Sequence, residues 1–135
     1  MKISVLQNRQ YEYDAVSGGQ EGFLQKQRDS MEEVLNLAEE AARGGARMIV
    51  TTETVNRLVS AKDPRFGAGI PPEPLDGKLV RRFGAVSKKY GAYLVADLLT
   101  EQGGRPYNTA VLLGPDGALC AVSYTHLTLP TIYSV

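Results

Sequence analysis

Two amphipathic helical segments, each followed directly by a short apolar strand, constrain the fold of this chain more than any other feature. In the first segment, Phe23–Arg43, the apolar residues recur three or four positions apart, and Gly44-Gly45 then ends the pattern. The second segment, Leu75–Tyr90, has a similar stripe and ends at Gly91. Each stripe is wide enough to bury one face only, so both segments predict helices that lie against a sheet.

Five short runs rich in β-forming residues accompany the two helices. In chain order, the predicted strands are Lys2–Gln7, Arg47–Thr52, Ala92–Leu99, Thr109–Gly114 and Ala118–Val122. The resulting order, β-α-β-α-β-β-β, predicts a parallel sheet in its first half. The Pro115–Gly117 turn predicts antiparallel pairing in its second half. We therefore expect an α/β fold with a mixed sheet and both helices on one face.

The overall composition excludes several classes of protein. Lys+Arg and Asp+Glu number 15 each among 135 residues, and this neutral balance gives no reason to expect nucleic acid or an anionic membrane as partner. No apolar run approaches the roughly 20 residues of a membrane-spanning helix, and the N-terminus does not resemble a signal peptide. The single cysteine, Cys120, rules out an internal disulfide and suits the reducing cytoplasm. We expect a cytoplasmic protein with one domain.

The stretch RMIVTTETVN (Arg47–Asn56) places a lone carboxylate, Glu53, at the end of a predicted buried strand. Strand ends in open α/β sheets are where sites usually form. The alternative is that Glu53 caps the next turn or pairs with a surface arginine, which is the commoner role of such acids. The following stretch, Thr54–Pro74, is too rich in Pro and Gly for one regular element, and long loops of this kind are often functional.

Four motifs, in this order, make residues 1–121 resemble the nitrilase superfamily of carbon–nitrogen hydrolases. They are ISVLQ, GGARMIVTTE, LVRRFGAVSKKYGAYLVADLLTE and YNTAVLLGPDG. The resemblance implies the N-terminal part of that family's α-β-β-α sandwich. It also implies hydrolysis of a non-peptide C–N bond in an amide, a carbamoyl amine or a nitrile. The family uses a Glu, a Lys and a Cys for this reaction, and such thiol chemistry needs no cofactor and no metal.

The resemblance implies catalytic roles for Glu53 and Glu101. Glu53 matches the family's general base, which takes the thiol proton, although Thr52 stands where the family usually has proline. Glu101 matches a second glutamate that supports the Lys and helps to position substrate; the alternative is a solvated acid at the start of a turn. We expect Asn108 to make a structural hydrogen bond in that turn. Cys120 lies in ALCAV, so we expect it to be buried and not to be the nucleophile.

The last residues, Val122–Val135, do not fit the rest of the chain. They contain no Asp, Glu, Lys or Arg, and SYTHL lacks the Lys that the family carries in the equivalent segment. The run VSYTHLTLPT resembles the in-frame translation of an adapter used in sequencing libraries. We therefore expect Val122–Val135 to be foreign, and its residues past the fifth strand to contact the core little. The only histidine, His126, lies within this segment and is not expected to bind metal.

Together these features predict the N-terminal part of an amidase-like carbon–nitrogen hydrolase that acts on a small-molecule amide or nitrile. A homo-oligomer is the assembly expected of the full-length form. The chain by itself is expected to be inactive because the Lys and the nucleophilic Cys of the family are missing. The alternative is a non-catalytic α/β binding or regulatory domain that shares the fold.

Overall fold

The computed structural model describes residues 1–9, 19–57 and 72–126, which form a five-stranded sheet and two helices. In chain order the elements are β1 (Ile3–Val5), α1 (Gly19–Arg43), β2 (Met48–Val50), α2 (Lys78–Tyr90), β3 (Tyr93–Gln102), β4 (Arg105–Leu113) and β5 (Leu119–His126). This is the predicted order of elements. Neither helix of the described ranges is long and apolar enough to cross a membrane.

The order of strands in the sheet follows the order in the chain, from β1 at one edge to β5 at the other. The first three strands are parallel, with Ile3 opposite Met48 and Met48 opposite Tyr93. The last two pairs, β3–β4 and β4–β5, are antiparallel. Parallel neighbours need long crossovers, which α1 and α2 supply, whereas antiparallel neighbours need only short turns. The predicted mixed sheet is confirmed.

Both helices pack on the same face of the sheet, as predicted. The fully buried side chains Val34 of α1 and Phe83 of α2 belong to one core with Ile49 of β2 and Leu94 of β3. The opposite face is not covered within the described residues, because Val5 on that face is 75% exposed. The sheet therefore has one covered apolar face and one open face, and the candidate site lies on the open one.

The two helices end where the glycines predict. Beyond α1, Gly45 adopts a left-handed conformation, and the Ala46 N–H donates to the Ala41 carbonyl at 3.1 Å. The second helix begins at Lys78, three residues later than the predicted Leu75. Before this start, Glu73 accepts the otherwise unpaired N–H of Leu79 at 3.0 Å. A side chain six residues back thus satisfies a donor in the first turn.

The β3–β4 hairpin is longer than predicted, because only Gly103 and Gly104 form its turn. Their φ angles of +58° and +77° are those of a two-residue turn that matches the twist of the strands. The predicted strand bounds on either side of the turn, Leu99 and Thr109, are therefore wrong. Glu101 lies in β3 and Asn108 lies in β4. Polar residues in this stretch suggested a loop, but the tight turn lets both strands continue.

The fifth strand also runs further than predicted, to His126 instead of Val122. Within it, Val122 lies opposite Val111 and Thr125 lies opposite Asn108. Val122 also packs, partly buried, against the core. The foreign origin of residues 122–135 stays a prediction, because backbone pairing along a free edge depends little on side-chain identity. Residues 127–135 lie outside the described part of the chain.

The expectation that Cys120 is buried is wrong, because its side chain is exposed. The pairing of β4 with β5 is irregular between Leu112 and Leu113, and Cys120 falls at this irregularity. Such an extra residue leaves the regular alternation of a strand. The apolar neighbours of Cys120 in ALCAV suggested a core position, but its side chain is not buried.

The β4–β5 turn contacts the middle of α2 through two glycines. A Cβ added to Gly84 would lie 2.7 Å from the Gly117 carbonyl oxygen, and one added to Gly117 would lie 2.6 Å from the Gly84 carbonyl oxygen. Gly117 also has a φ of +83°, which favours glycine. The absence of both side chains lets the helix and the turn approach closely.

Candidate active site

Glu53 is an exposed side chain in the tight turn that follows β2. The strand's pairing continues past its end, because the Thr51 N–H donates to the Val95 carbonyl at 3.0 Å. The chain then reverses, and the Arg57 N–H donates to the Thr54 carbonyl at 2.9 Å. The turn thus places the Glu53 carboxylate at the carboxyl end of the parallel strands, where sites in open α/β sheets form.

Asn108 of β4 contacts the Glu53 carboxylate directly. Its Nδ2 donates to Glu53 Oε1 at 2.8 Å. The other amide atom, Oδ1, is buried and has no hydrogen-bond partner among the described residues. Asn108 therefore makes the expected structural hydrogen bond, but its expected place in a turn is wrong, because Asn108 lies in β4 and orients the candidate base. A carboxylate that accepts one such bond keeps lone pairs free to accept a proton.

Asp97 is the second carboxylate at this position, and sequence reasoning missed it. It lies in β3 opposite Ala110, half-buried, and its Oδ1 accepts the Thr54 N–H at 2.6 Å. Burial raises the pKa of Asp97, and the nearby charge of Glu53 raises it further, whereas the bond from Thr54 lowers it. The one signal in the sequence was an acid within the apolar run AYLVADLL.

Asn56 fixes the far end of the same turn. It is 2% exposed, its Nδ2 donates to the Leu99 carbonyl at 2.9 Å, and its Oδ1 accepts the Leu99 N–H at 2.7 Å. The side-chain amide therefore pairs with β3 as a strand residue would. On the opposite side, the Gln27 side chain donates to the Asn56 carbonyl at 3.1 Å. The turn is attached to both β3 and α1.

Glu101, the other predicted site residue, is exposed near the end of β3. Glu101 lies an even number of positions from Asp97, so both side chains point to the open face. Glu101 is about 13 Å further along the strand at a rise of ~3.3 Å per residue. Its neighbour Glu73 forms a short parallel bridge to β3, and the Glu101 N–H donates to the Glu73 carbonyl at 2.9 Å. The structure therefore groups Glu53 with Asp97 and Asn108, and Glu101 lies beside this group.

Cys120 lies at the opposite end of β4 from Asn108. It flanks the Leu113 end of the strand, and five residues separate that position from Asn108, which is about 17 Å at a rise of ~3.4 Å per residue. A nucleophile must lie within hydrogen-bond reach of its base, about 3 Å. Cys120 therefore lies too far from Glu53 for the two to act as nucleophile and base, and its exclusion as the nucleophile stays a prediction.

The group of Glu53, Asp97 and Asn108 can accept and transfer a proton on the open face of the sheet, beyond the carboxyl end of β2. It offers two carboxylates of unlike surroundings, one exposed and one half-buried, and unlike surroundings are what separate acid and base roles. Within the described ranges, no cluster of three or more His, Cys, Asp or Glu side chains could hold a metal ion.

Comparison with known sequences identifies relatives over most of the chain. A family model described as carbon-nitrogen hydrolase matches residues 3–135. The chain is 31% identical to omega-amidase NIT2 of Xenopus tropicalis over 93 residues, which covers 67% of this chain and 32% of that protein. It is 30% identical to the human omega-amidase NIT2 over 95 residues, covering 69% and 33%. The chain thus spans about a third of the length of these relatives.

Comparison with solved structures agrees on the fold. A carbon–nitrogen hydrolase from Helicobacter pylori superposes with a TM-score of 0.64 at 20% identity, covering 90% of this chain and 38% of that one. A variant of the amidase from Nesterenkonia sp., with acrylamide added to its active-site cysteine, gives a TM-score of 0.66 at 18% identity, covering 93% and 44%. At these identities the similarity establishes the architecture and leaves the chemistry to the side chains.

Proposed function

The chain belongs to the carbon–nitrogen hydrolase family, and from this premise we propose that it carries the general base of an amidase-like hydrolase, Glu53. The substrate class is a small molecule with a non-peptide C–N bond. The relatives named omega-amidase favour an amide over a nitrile. The proposed place of action is the cytoplasm, which suits a chain with a single cysteine.

The position of Glu53 is the observation that supports this proposal most directly. The carboxylate stands at the end of a parallel strand, in a turn attached to β3, and Asn108 holds one of its oxygens at 2.8 Å. A general base must be held in place and must still have a free lone pair for the proton. Glu53 meets both conditions, since Asn108 occupies one acceptor position and the side chain remains exposed.

The proposed reaction uses thiol chemistry, in which Glu53 moves the protons. The carboxylate takes the proton of a cysteine thiol, and the thiolate attacks the amide carbon. The proton then passes to the leaving ammonia, and the carboxylate activates water against the thioester. A lysine stabilises the negative charge that develops on the substrate oxygen. We propose that Glu101 supports this lysine and helps to position the substrate from its place further along the open face.

The 135-residue chain alone is expected to release no ammonia from amides, because SYTHL lacks the family's lysine and the single cysteine, Cys120, lies at the far end of β4 from Asn108. The test therefore uses a chimaera in which residues 1–121 replace the corresponding part of the human omega-amidase. The assay is ammonia release from a panel of small amides and nitriles. The chimaera should hydrolyse amides, and Glu53→Gln should lower its turnover by several orders of magnitude, since Gln keeps the shape but cannot accept the proton.

The matched control is Glu40→Gln on the exposed side of α1, which makes the same chemical change away from the site. It should leave turnover unchanged. A chimaera that folds and stays inactive would favour the alternative, a non-catalytic domain with this fold. A chimaera in which Glu53→Gln turns over like its parent would show that Glu53 is not the base.

A further inference from the structure

Asp97 holds the turn that carries Glu53 through both its side chain and its main chain. Its Oδ1 accepts the Thr54 N–H at 2.6 Å, and its carbonyl oxygen accepts the Val55 N–H at 2.9 Å. Its own N–H donates to Thr51 Oγ1 at 3.1 Å. Three successive contacts therefore attach the residues on either side of Glu53 to one position of β3.

The turn needs this attachment because Thr54 has an unfavourable conformation. Its φ is +42°, the only positive φ of a non-glycine residue among those described, and a β-branched side chain rarely adopts it. Such a conformation persists only where the surroundings hold it. The short bond from the Thr54 N–H to a carboxylate is of the stronger, charge-assisted kind. Release of that bond would let Thr54 relax and would redirect the neighbouring Glu53 side chain.

The two carboxylates also interact through their charge. The Glu53 charge is one of the causes that raise the pKa of Asp97, after burial. Because the two like charges repel each other, their proximity works against stability.

We propose that Asp97 is a positioning residue for Glu53, which fixes the Glu53–Asn56 turn so that the Glu53 carboxylate meets Asn108 on the open face of the sheet. Its consequence for catalysis rests on the function proposed above. The positioning itself is a property of this chain and can be measured without any activity.

The experiment is nuclear magnetic resonance on the 135-residue chain and four variants. Asp97→Ala removes the acceptor and should speed hydrogen exchange of the Thr54 amide about tenfold or more, as expected for loss of a hydrogen bond to a charged group. It should also shift the Asn108 side-chain NH₂ resonances towards those seen in Glu53→Gln. Asp97→Asn keeps an acceptor of the same shape and should largely restore both signals.

The matched control is Asp116→Ala, because Asp116 accepts the Ala118 N–H at 3.0 Å in the β4–β5 turn, a similar bond away from Glu53. It should leave the Thr54 and Asn108 signals at their parental values. The proposal is overturned if Asp97→Ala leaves those signals unchanged or if Asp116→Ala moves them equally.

A second measurement decides the matter even if Asp97→Ala does not fold. The pKa of Asp97, followed through its carboxyl carbon resonance, should fall in Glu53→Gln because a like charge is removed. An unchanged Asp97 titration would overturn the proposal. In the active chimaera, Asp97→Ala should lower kcat far more than it changes KM. If the chimaera is inactive, the proposed function fails, while the resonance measurements still decide the role of Asp97.

Discussion

Thr100 and Thr109 form a buried pair that allows a quantitative test of the packing between β3 and β4. Both side chains are fully buried, and their hydroxyl oxygens lie 2.6 Å apart. Changing either residue to Val keeps the shape and the strand preference but leaves the other hydroxyl buried without this partner. That loss costs about 1–3 kcal/mol of the free energy of unfolding.

The double variant Thr100→Val/Thr109→Val should be much less damaging than the sum of the single changes. Replacing both partners by apolar groups of the same shape is nearly neutral, so the double variant should lie within about 1 kcal/mol of the parent. The two single losses would sum to about 2–6 kcal/mol, so the two changes should couple by at least about 1 kcal/mol.

The assay is urea unfolding followed by circular dichroism, since the chain has no tryptophan. Equal slopes in the four proteins would show that the denatured states are comparable. The control is Thr125→Val at an exposed position of β5, which should change the free energy of unfolding by less than about 0.5 kcal/mol. Single variants as stable as the parent, or additive losses in the double variant, would refute the reasoning.

Two further predictions concern stability. Gly84→Ala should destabilise the protein in urea unfolding, although alanine in a helix interior normally gains about 1 kcal/mol over glycine, because the new Cβ would meet the Gly117 carbonyl oxygen at 2.7 Å; a gain in stability would contradict the close contact. Asp97→Asn should become increasingly more stable than the parent as pH rises from about 3.5 to 7. The raised pKa means that the folded chain binds the Asp97 proton more tightly than the unfolded chain does. The bound proton therefore stabilises the fold at low pH, and the parent loses this stabilisation as pH rises above the ordinary value of 3.8. Asparagine does not titrate, so the variant loses nothing. A stability difference that stays constant or shrinks over this pH range would contradict the sign.

The sequence predicted the elements well because their signals are local. The stripe of Phe23–Arg43 and the glycines after it need only a few neighbouring residues to fix a helix and its end. Glu53 could be singled out because a strand end is visible in the sequence itself. The bounds were less accurate, since the polar residues around Glu101 suggested a loop that the Gly103-Gly104 turn confines to two positions.

The partners of Glu53 could not be predicted, because they come from distant parts of the chain. The bond from Asn108 joins residues 55 positions apart, and the bond from Thr54 to Asp97 spans 43 positions. Which distant strands meet, and in which register, depends on the assembled sheet. The exposure of Cys120 was missed for a related reason, since it follows from an irregular register between two strands.

The connectivity of the sheet also sets the order in which its parts assemble. The β3–β4 pairing closes only the two-residue Gly103-Gly104 turn, whereas the pairing of Ile3 with Met48 must close about 45 residues of chain. Loop closure over longer chains loses more entropy before contacts compensate for it. We therefore expect the β3–β4–β5 meander to form early and β1 to join late.

This order separates the two sides of the candidate site in time. Asn108 and Asp97 are in place as soon as the meander has formed, while the Glu53 turn reaches them only when β2 docks beside β3. Changes in the meander should therefore slow folding, and changes in β1 should mainly speed unfolding. Asn108 and Asp97 should therefore reach their native positions first, and Glu53 should join them only when β2 pairs with β3.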